Sequence, residues 1–167
     1  MSDSYIIEPL GVQDRSAFSC GSEALDGYFR ERASQDVKRL MASCFVATED
    51  SDGEIAGYYT LAATSIAVTD LPSELTRRLP RYPTLPAALV GRLAVDRRHH
   101  RKGLGSALIA DAATRVLKGD VKAFALVVEA KDEAALAFYR KLGFARLVSR
   151  PLSLFLPLET IRQVGGR

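Results

Sequence analysis

Residues 91–106, Gly-Arg-Leu-Ala-Val-Asp-Arg-Arg-His-His-Arg-Lys-Gly-Leu-Gly-Ser, constrain the fold more than any other stretch of this chain. An apolar strand feeds a strongly basic turn, and a Gly-x-Gly step then opens a helix. The first turn of a helix carries backbone N–H groups without internal partners, and the macrodipole adds partial positive charge there. Anions bind at such ends. Gly103 and Gly105 admit a phosphate close to the backbone, because no Cβ stands in the way. Arg97, Arg98, Arg101 and Lys102 add full charges, which suits a pyrophosphate with a further phosphate nearby. Leu104, Ala107, Leu108, Ala112 and Val116 form an apolar stripe at helical spacing over 104–118.

The common nucleotide motifs fail on spacing. A dinucleotide fingerprint needs Gly or Ala three residues after the second glycine, and that residue is Leu108. A Walker loop needs Gly-Lys-Ser/Thr after a four-residue gap, and no such string occurs. At this level a basic loop capping an ordinary helix stands beside the phosphate reading.

The chain of 167 residues is long enough to bury a proper core, and it is read as one domain over residues 1–167. Its 47% hydrophobic and 26% charged content is that of a soluble globular protein, and no apolar run spans a bilayer. The first residues lack a basic region and a cleavage site, so no secretory signal is visible. Cys20 and Cys44 are too few for a disulfide framework, and a reducing cytoplasm is the expected location. His and Cys residues show no metal-ligand spacing, so no metal is expected. The net charge of +3 permits a polyanionic partner without demanding one.

The element order is mixed. Strands are predicted at 5–10, 44–48 and 55–63, with Asp52-Gly53 as a hairpin turn and 65–68 continuing the third strand after a bend. Ser22 caps a first helix, and a second runs over 34–40. Prolines 72, 80, 83 and 86 mark a loop-rich stretch with one helical turn at 73–79. A strand at 87–95, buried on both faces apart from Gly91 and Arg92, precedes the Gly-x-Gly helix. A strand follows at 123–129. Asp132 caps a helix through Lys141, closed by Gly143, and strands at 144–148 and 153–158 complete the chain. Residues 162–167 read as a frayed end.

The Leu93-Ala94-Val95 strand, the Arg101-Lys102-Gly103-Leu104-Gly105 turn and the string Ala137-Phe138-Tyr139-Arg140-Lys141-Leu142-Gly143-Phe144 occur in the GNAT acetyltransferase superfamily in that order. The chain resembles that superfamily over nearly its whole length. The resemblance implies an α/β (α+β) GNAT fold, with a mixed, mostly antiparallel sheet flanked by helices and splayed at its central strands. It implies acetyl-CoA as co-substrate, held by Leu93, Ala94, Val95, Arg101, Lys102, Gly103, Leu104, Gly105 and Ser106. Two departures appear. His100 stands where the family usually has Gln or Arg, and Asp132 where many members have Asn; Asp132 is read as a helix cap.

Three separated segments narrow the match. Phe18-Ser-Cys-Gly-Ser-Glu-Ala-Leu-Asp-Gly-Tyr-Phe29, Ala56-Gly-Tyr-Tyr-Thr-Leu-Ala62 and Gly91-Arg-Leu-Ala-Val-Asp96 resemble the GNAT toxins of bacterial toxin–antitoxin modules. Those toxins acetylate the α-amine of the amino acid on charged tRNA and stop translation. The resemblance implies aminoacyl-tRNA and a ribbon-helix-helix antitoxin as partners, and a homodimer, with the apolar stretch 152–158 as a candidate interface. No membrane partner is implied.

Acyl transfer from a thioester to an amine needs a neutral amine and a proton for the departing thiolate. Tyr139, a phenol with an ordinary pKa of about 10, is a proton reservoir at neutral pH and the candidate general acid; the alternative for it is a core aromatic. Backbone N–H groups where strands splay near Gly91 and Leu93 are candidates to polarise the thioester oxygen. No carboxylate or His makes a case as general base. Glu129 reads equally as a solvated strand end, and His99 and His100 read as phosphate-side residues. A missing base favours an α-amine near 8 over a lysine amine near 10.4. Candidate tRNA contacts are Arg92, Arg77, Arg78 and Lys38, with Arg92 foremost because a buried-strand arginine calls for an anionic partner. A GNAT enzyme acting on a small amine or protein, and a non-catalytic coenzyme A-binding module, are the alternatives.

Overall fold

Asp52-Gly53 does turn the chain. Gly53 adopts φ +71, its N–H donates to the Glu49 carbonyl at 2.8 Å, and the Asp52 carboxylate accepts from the Glu54 N–H at 2.9 Å. The hairpin joins β2 (Ser43–Glu49) to β3 (Ile55–Ala67), paired antiparallel from Ser43↔Leu61 to Thr48↔Ile55. The computed structural model describes residues 4–165. Strand β1 (Tyr5–Pro9) pairs antiparallel with β2. Strand β4 (Thr84–Val95) pairs parallel with β5 (Ala125–Glu129); β5 and the short β6 (Ala145–Arg146) both pair antiparallel with β7 (Ser153–Pro157). The sheet has seven strands in the order β1-β2-β3-β4-β5-β7-β6, mixed and mostly antiparallel.

The β4–β5 register runs only from Ala87↔Ala125 to Val90↔Val128. Strand β4 continues to Val95, so residues 91–95 lie beyond its ladder with β5.

The helices are α1 (Glu23–Glu31), α2 (Ala33–Lys38), α3 (Ser73–Thr76), α4 (Leu104–Lys118), α5 (Glu133–Lys141) and α6 (Leu158–Gly165). Ser22 caps α1 by accepting from the Leu25 N–H at 3.3 Å, and Asp132 caps α5 by accepting from the Ala135 N–H at 2.8 Å. Gly143, at φ +105, follows α5 in the left-handed conformation that favours glycine.

By internal contacts the chain forms two compact units: Gly91–Ala112 with the chain up to Ala62, and Ala63–Val90 with the chain from Ala113. The first has a core of Phe18, Phe29, Val46, Ile55 and Tyr58 among others, with Phe29 stacked on Tyr58 at 4.2 Å between centroids. The second buries Ile66, Leu85, Val127, Leu147 and Phe155. There Asp70 accepts from the N–H and hydroxyl of Ser149 at 2.7 and 2.6 Å, which holds its carboxyl below the usual range.

Several boundaries differ from the sequence reading. Strand β3 runs unbroken through 63–67, and a 3-10 turn at Val68–Asp70 follows where a bent strand was expected. Strand β4 starts before Pro86, because Pro86 is needed only as an acceptor: its carbonyl takes the Phe124 N–H at 2.7 Å. Its first half alternates between exposed and buried residues, so burial on both faces is confined to its middle. The last strand gives way to α6 at Leu158, where fraying was expected from 162; residues 166–167 lie outside the described residues. The expected strand over 144–148 is reduced to Ala145–Arg146.

Candidate active site

Asp96 organises the basic turn. It follows β4, is 2% exposed, and receives four hydrogen bonds: the Ser19 N–H at 3.0 Å, the Arg98 N–H at 2.9 Å, and Arg98 Nε and Nη2 at 3.0 and 3.3 Å. Burial by itself pushes this carboxyl up. The bonds from Arg98 and from the two backbone N–H groups, with the guanidinium charge, outweigh burial and hold it below the usual range. Two backbone bonds fix the same corner: Asp96 N–H to Ala56 O at 2.8 Å, and Arg97 N–H to Ser19 O at 2.9 Å.

The turn then enters α4. Arg101 at φ 64 and Gly103 at φ +78 both lie in the left-handed region. A Cβ placed on Gly103 would meet nothing within 4 Å, so the space over the start of α4 is open. A phosphate oxygen can therefore reach the N-terminal N–H groups of a fifteen-residue helix. Leu104 and Leu108 anchor that helix at 2% and 0% exposure, and Tyr59 on β3 donates to Asp111 Oδ2 at 2.5 Å. Lys102 and Arg101 are exposed; Gly105 and Ser106 are half-buried. Leu93 and Val95 are half-buried on the part of β4 beyond its ladder with β5, with Ala94 buried between them. These residues fit a coenzyme A pyrophosphate and its pantetheine arm.

The basic run is not a uniform phosphate cradle, as the sequence had it. Arg98 is committed to Asp96 and to Glu54, whose Oε1 it meets at 2.9 Å. His99 is 3% exposed and turned inward, with Tyr5 Oη at 2.9 Å from its Nδ1. His100 donates from Nε2 to the Val95 carbonyl at 2.8 Å, so it braces the end of β4. Of the six residues 97–102, Arg97, Arg101 and Lys102 are exposed, as are Arg98 and His100.

Arg92 is half-buried and lies with its Cζ 3.6 Å from the centroid of the Tyr28 ring. This aromatic face supplies part of the attraction that an anion would give the guanidinium. Tyr28 donates to Asp36 Oδ2 at 2.7 Å, and burial with that bond pushes its phenol up to about 12. The Arg92 backbone N–H donates to Thr60 Oγ1 at 3.1 Å. Neither Tyr28 nor Thr60 was singled out in the sequence; a polar Thr at a buried strand position was the available signal. Lys38 is exposed in the last turn of α2.

In the other unit, Tyr139 sits on α5, 7% exposed, edge-on to Phe138 and Phe144 at 5.2 and 5.6 Å. Its hydroxyl makes no hydrogen bond among the described residues, yet no fully buried side-chain polar atom lacks a partner. The hydroxyl therefore opens to solvent while its ring is packed. Burial pushes its phenol up to about 12. Glu129 is exposed at the end of β5, as a solvated strand end should be. Arg77 and Arg78 are exposed just past α3.

The profile of the acetyltransferase (GNAT) family matches residues 13–144. The chain is 34% identical over 172 residues to a probable toxin TacT of Sinorhizobium fredii, covering 96% of this chain and 95% of that protein. It is 36% identical over 157 residues to the tRNA-acetylating toxin of Mycobacterium tuberculosis, covering 93% and 92%. Among solved structures, AtaT complexed with acetyl-methionyl-tRNAfMet superposes with a TM-score of 0.87 at 29% identity, covering 97% of this chain and 99% of that one. A tyrosine-to-phenylalanine mutant of AtaT bound to the C-terminus of the antitoxin AtaR and acetyl-CoA superposes at 0.80, with 26% identity over 98% and 99%.

Proposed function

Because the chain belongs to the acetyltransferase (GNAT) family, we propose that it transfers acetyl from acetyl-CoA to the α-amine of the amino acid on charged tRNA, as the toxin of a toxin–antitoxin pair. The observation that carries the chemistry is a packed tyrosine, 7% exposed, whose hydroxyl is not sealed from solvent. Full-length similarity to a tRNA-acetylating toxin supports the acceptor.

Acetyl-CoA supplies the activated acyl group as a thioester. Arg101, Lys102, Gly103, Leu104, Gly105 and Ser106 bind its pyrophosphate through the start of α4 and the local cations. The backbone of Leu93, Ala94 and Val95, beyond the β5 ladder, offers N–H and C=O groups to the pantetheine amides. Tyr139 holds a proton at Oη. With its pKa near 12 it stays protonated through the physiological range and can give that proton to a leaving thiolate. Arg92, stacked on Tyr28, and the exposed Lys38, Arg77 and Arg78 carry positive charge for tRNA phosphates. This reading takes residues 1–167 as one catalytic domain. It also carries a ribbon-helix-helix antitoxin, a homodimer and a cytoplasmic site of action. No helix among the described residues is long and apolar enough to cross a membrane.

Labelled acetyl-CoA offered with a panel of aminoacyl-tRNAs, and with uncharged tRNA as control, tests this directly. Transfer to at least one charged tRNA and none to the control is expected; no transfer to any charged tRNA sinks the proposal. Tyr139→Phe keeps the ring contacts and should lower kcat by about 10²–10⁴-fold, the usual range for a general acid. The wild-type rate should rise as pH passes the α-amine pKa of about 8. Loss of the Tyr139 proton sets no alkaline limb until pH nears 12.

A further inference from the structure

The geometry points to a divalent-metal site of the zinc class at Glu49, Glu54 and His99, outside the reaction machinery. One ligand atom from each lies within 4.8 Å of the other two. Glu49 ends β2, Glu54 precedes β3, and His99 closes the 3-10 turn at Arg97–His99. Glu49 and Glu54 stand five positions apart, but His99 follows 45 positions later, which is why ligand spacing among the His and Cys residues gave no metal signal.

The imidazole supplies the second observation. His99 is 3% exposed, and among the described residues no hydrogen bond engages its Nε2; because no fully buried side-chain polar atom among them lacks a partner, that nitrogen stays reachable from solvent. That nitrogen faces Glu49 Oε2 at 3.8 Å, beyond hydrogen-bond reach. Its other nitrogen, Nδ1, is engaged by Tyr5 Oη at 2.9 Å. When Nδ1–H donates to that oxygen, the tautomer leaves the Nε2 lone pair directed at the carboxylates. Metal-ligating histidines are oriented by such a bond on the remote nitrogen.

The donor set selects the ion. One imidazole and two carboxylates suit zinc-class ions, whereas magnesium and calcium prefer oxygen alone. Metal–ligand bonds of about 2.0–2.2 Å place tetrahedral ligand atoms about 3.4 Å apart, so from separations of up to 4.8 Å the cluster must close by up to about 1.4 Å. Glu54 can supply most of that movement, since its side chain is 45% exposed. Arg98 meets Glu54 at Oε1 only, and a carboxylate keeps a second oxygen for the ion. Water completes the coordination. Bound there, the ion ties the β2–β3 hairpin to the turn that begins the phosphate loop two residues after His99.

Isothermal titration of the full chain, stripped with a chelator, with zinc chloride tests the site. One equivalent is expected, together with a rise in the thermal midpoint. Glu49→Gln and Glu54→Gln should each weaken zinc at least tenfold with circular dichroism unchanged. The double variant should lose the thermal shift, and His100→Asn should keep it. Magnesium should bind at least a hundredfold more weakly. No zinc binding by the wild type, equal binding by the double variant, or magnesium binding as tight as zinc would each overturn the inference. His99→Asn is a weaker probe, because its burial makes a folding defect the simpler explanation.

Discussion

Replacing Gly57 by alanine is expected to loosen both the fold and the grip on acetyl-CoA. Gly57 is buried on β3, and a Cβ there would stand 2.9 Å from the Ala94 carbonyl oxygen, 3.2 Å from Leu108 Cδ1 and 3.3 Å from Leu104 Cδ2. The leucine methyl groups can rotate aside; the carbonyl cannot. It belongs to β4 immediately before two fixed groups, since Val95 O is held by His100 and the Asp96 N–H by Ala56 O at 2.8 Å. Relief therefore requires β3 and β4 to part by about half an ångström at this point. Overpacking of this kind costs about 1–3 kcal/mol. The lower entropy of the unfolded alanine chain returns about 0.4–1 kcal/mol. A net loss of about 1–2 kcal/mol lowers the thermal midpoint by roughly 2–8 °C for a chain of this size. Leu104 and Leu108 lie on the first two turns of α4, so the strain reaches the phosphate site. If about 1 kcal/mol of it falls on the bound state, the Kd for acetyl-CoA rises about fivefold. Thermal unfolding by circular dichroism and calorimetric titration with acetyl-CoA measure the two effects. A midpoint equal to or above wild type, with unchanged Kd, would refute the close-approach reasoning.

Gly27→Ala is the contrasting case: it lies inside α1 with open space where its Cβ would go, so it should stabilise by about 0.5–1 kcal/mol and raise the midpoint by a few degrees. A fall in midpoint would mean that the helix surface there is occupied. Asp96→Asn should destabilise by about 2–3 kcal/mol at neutral pH, because one amide cannot accept from four donors, while the partly exposed Arg98 recovers some hydration. The Asp96 pKa is depressed in the folded state, so its contribution is present above the unfolded value of about 3.9 and is lost as pH falls through the folded value. Urea titrations from pH 7 to pH 3 should show the gap between wild type and variant narrowing; a gap that is constant or widens toward acid would contradict the assignment.

What the sequence revealed and what it hid separate by the distance over which each bond acts. Ser22, Asp132 and Gly143 were legible because their partners lie within a few residues, and local chemistry alone decides them. The hairpin at Asp52-Gly53 belongs to the same class. The basic run was legible in position but not in its division of labour. Arg97, Arg98, His99 and His100 look alike as charges, and nothing nearby says that Asp96 will bind Ser19, 77 positions away, or that Tyr5 will meet His99 across 94. Once Asp96 is buried it must be satisfied, and Arg98 is the nearest cation that can turn inward without leaving the strand end. With Arg98 bound to Asp96 and His99 inside, Arg101 and Lys102 are the exposed cations nearest in sequence to the open face of Gly103. A single buried carboxylate therefore decides which positive charges are offered to phosphate, and neutralising it should disturb cofactor binding although Asp96 itself faces the interior.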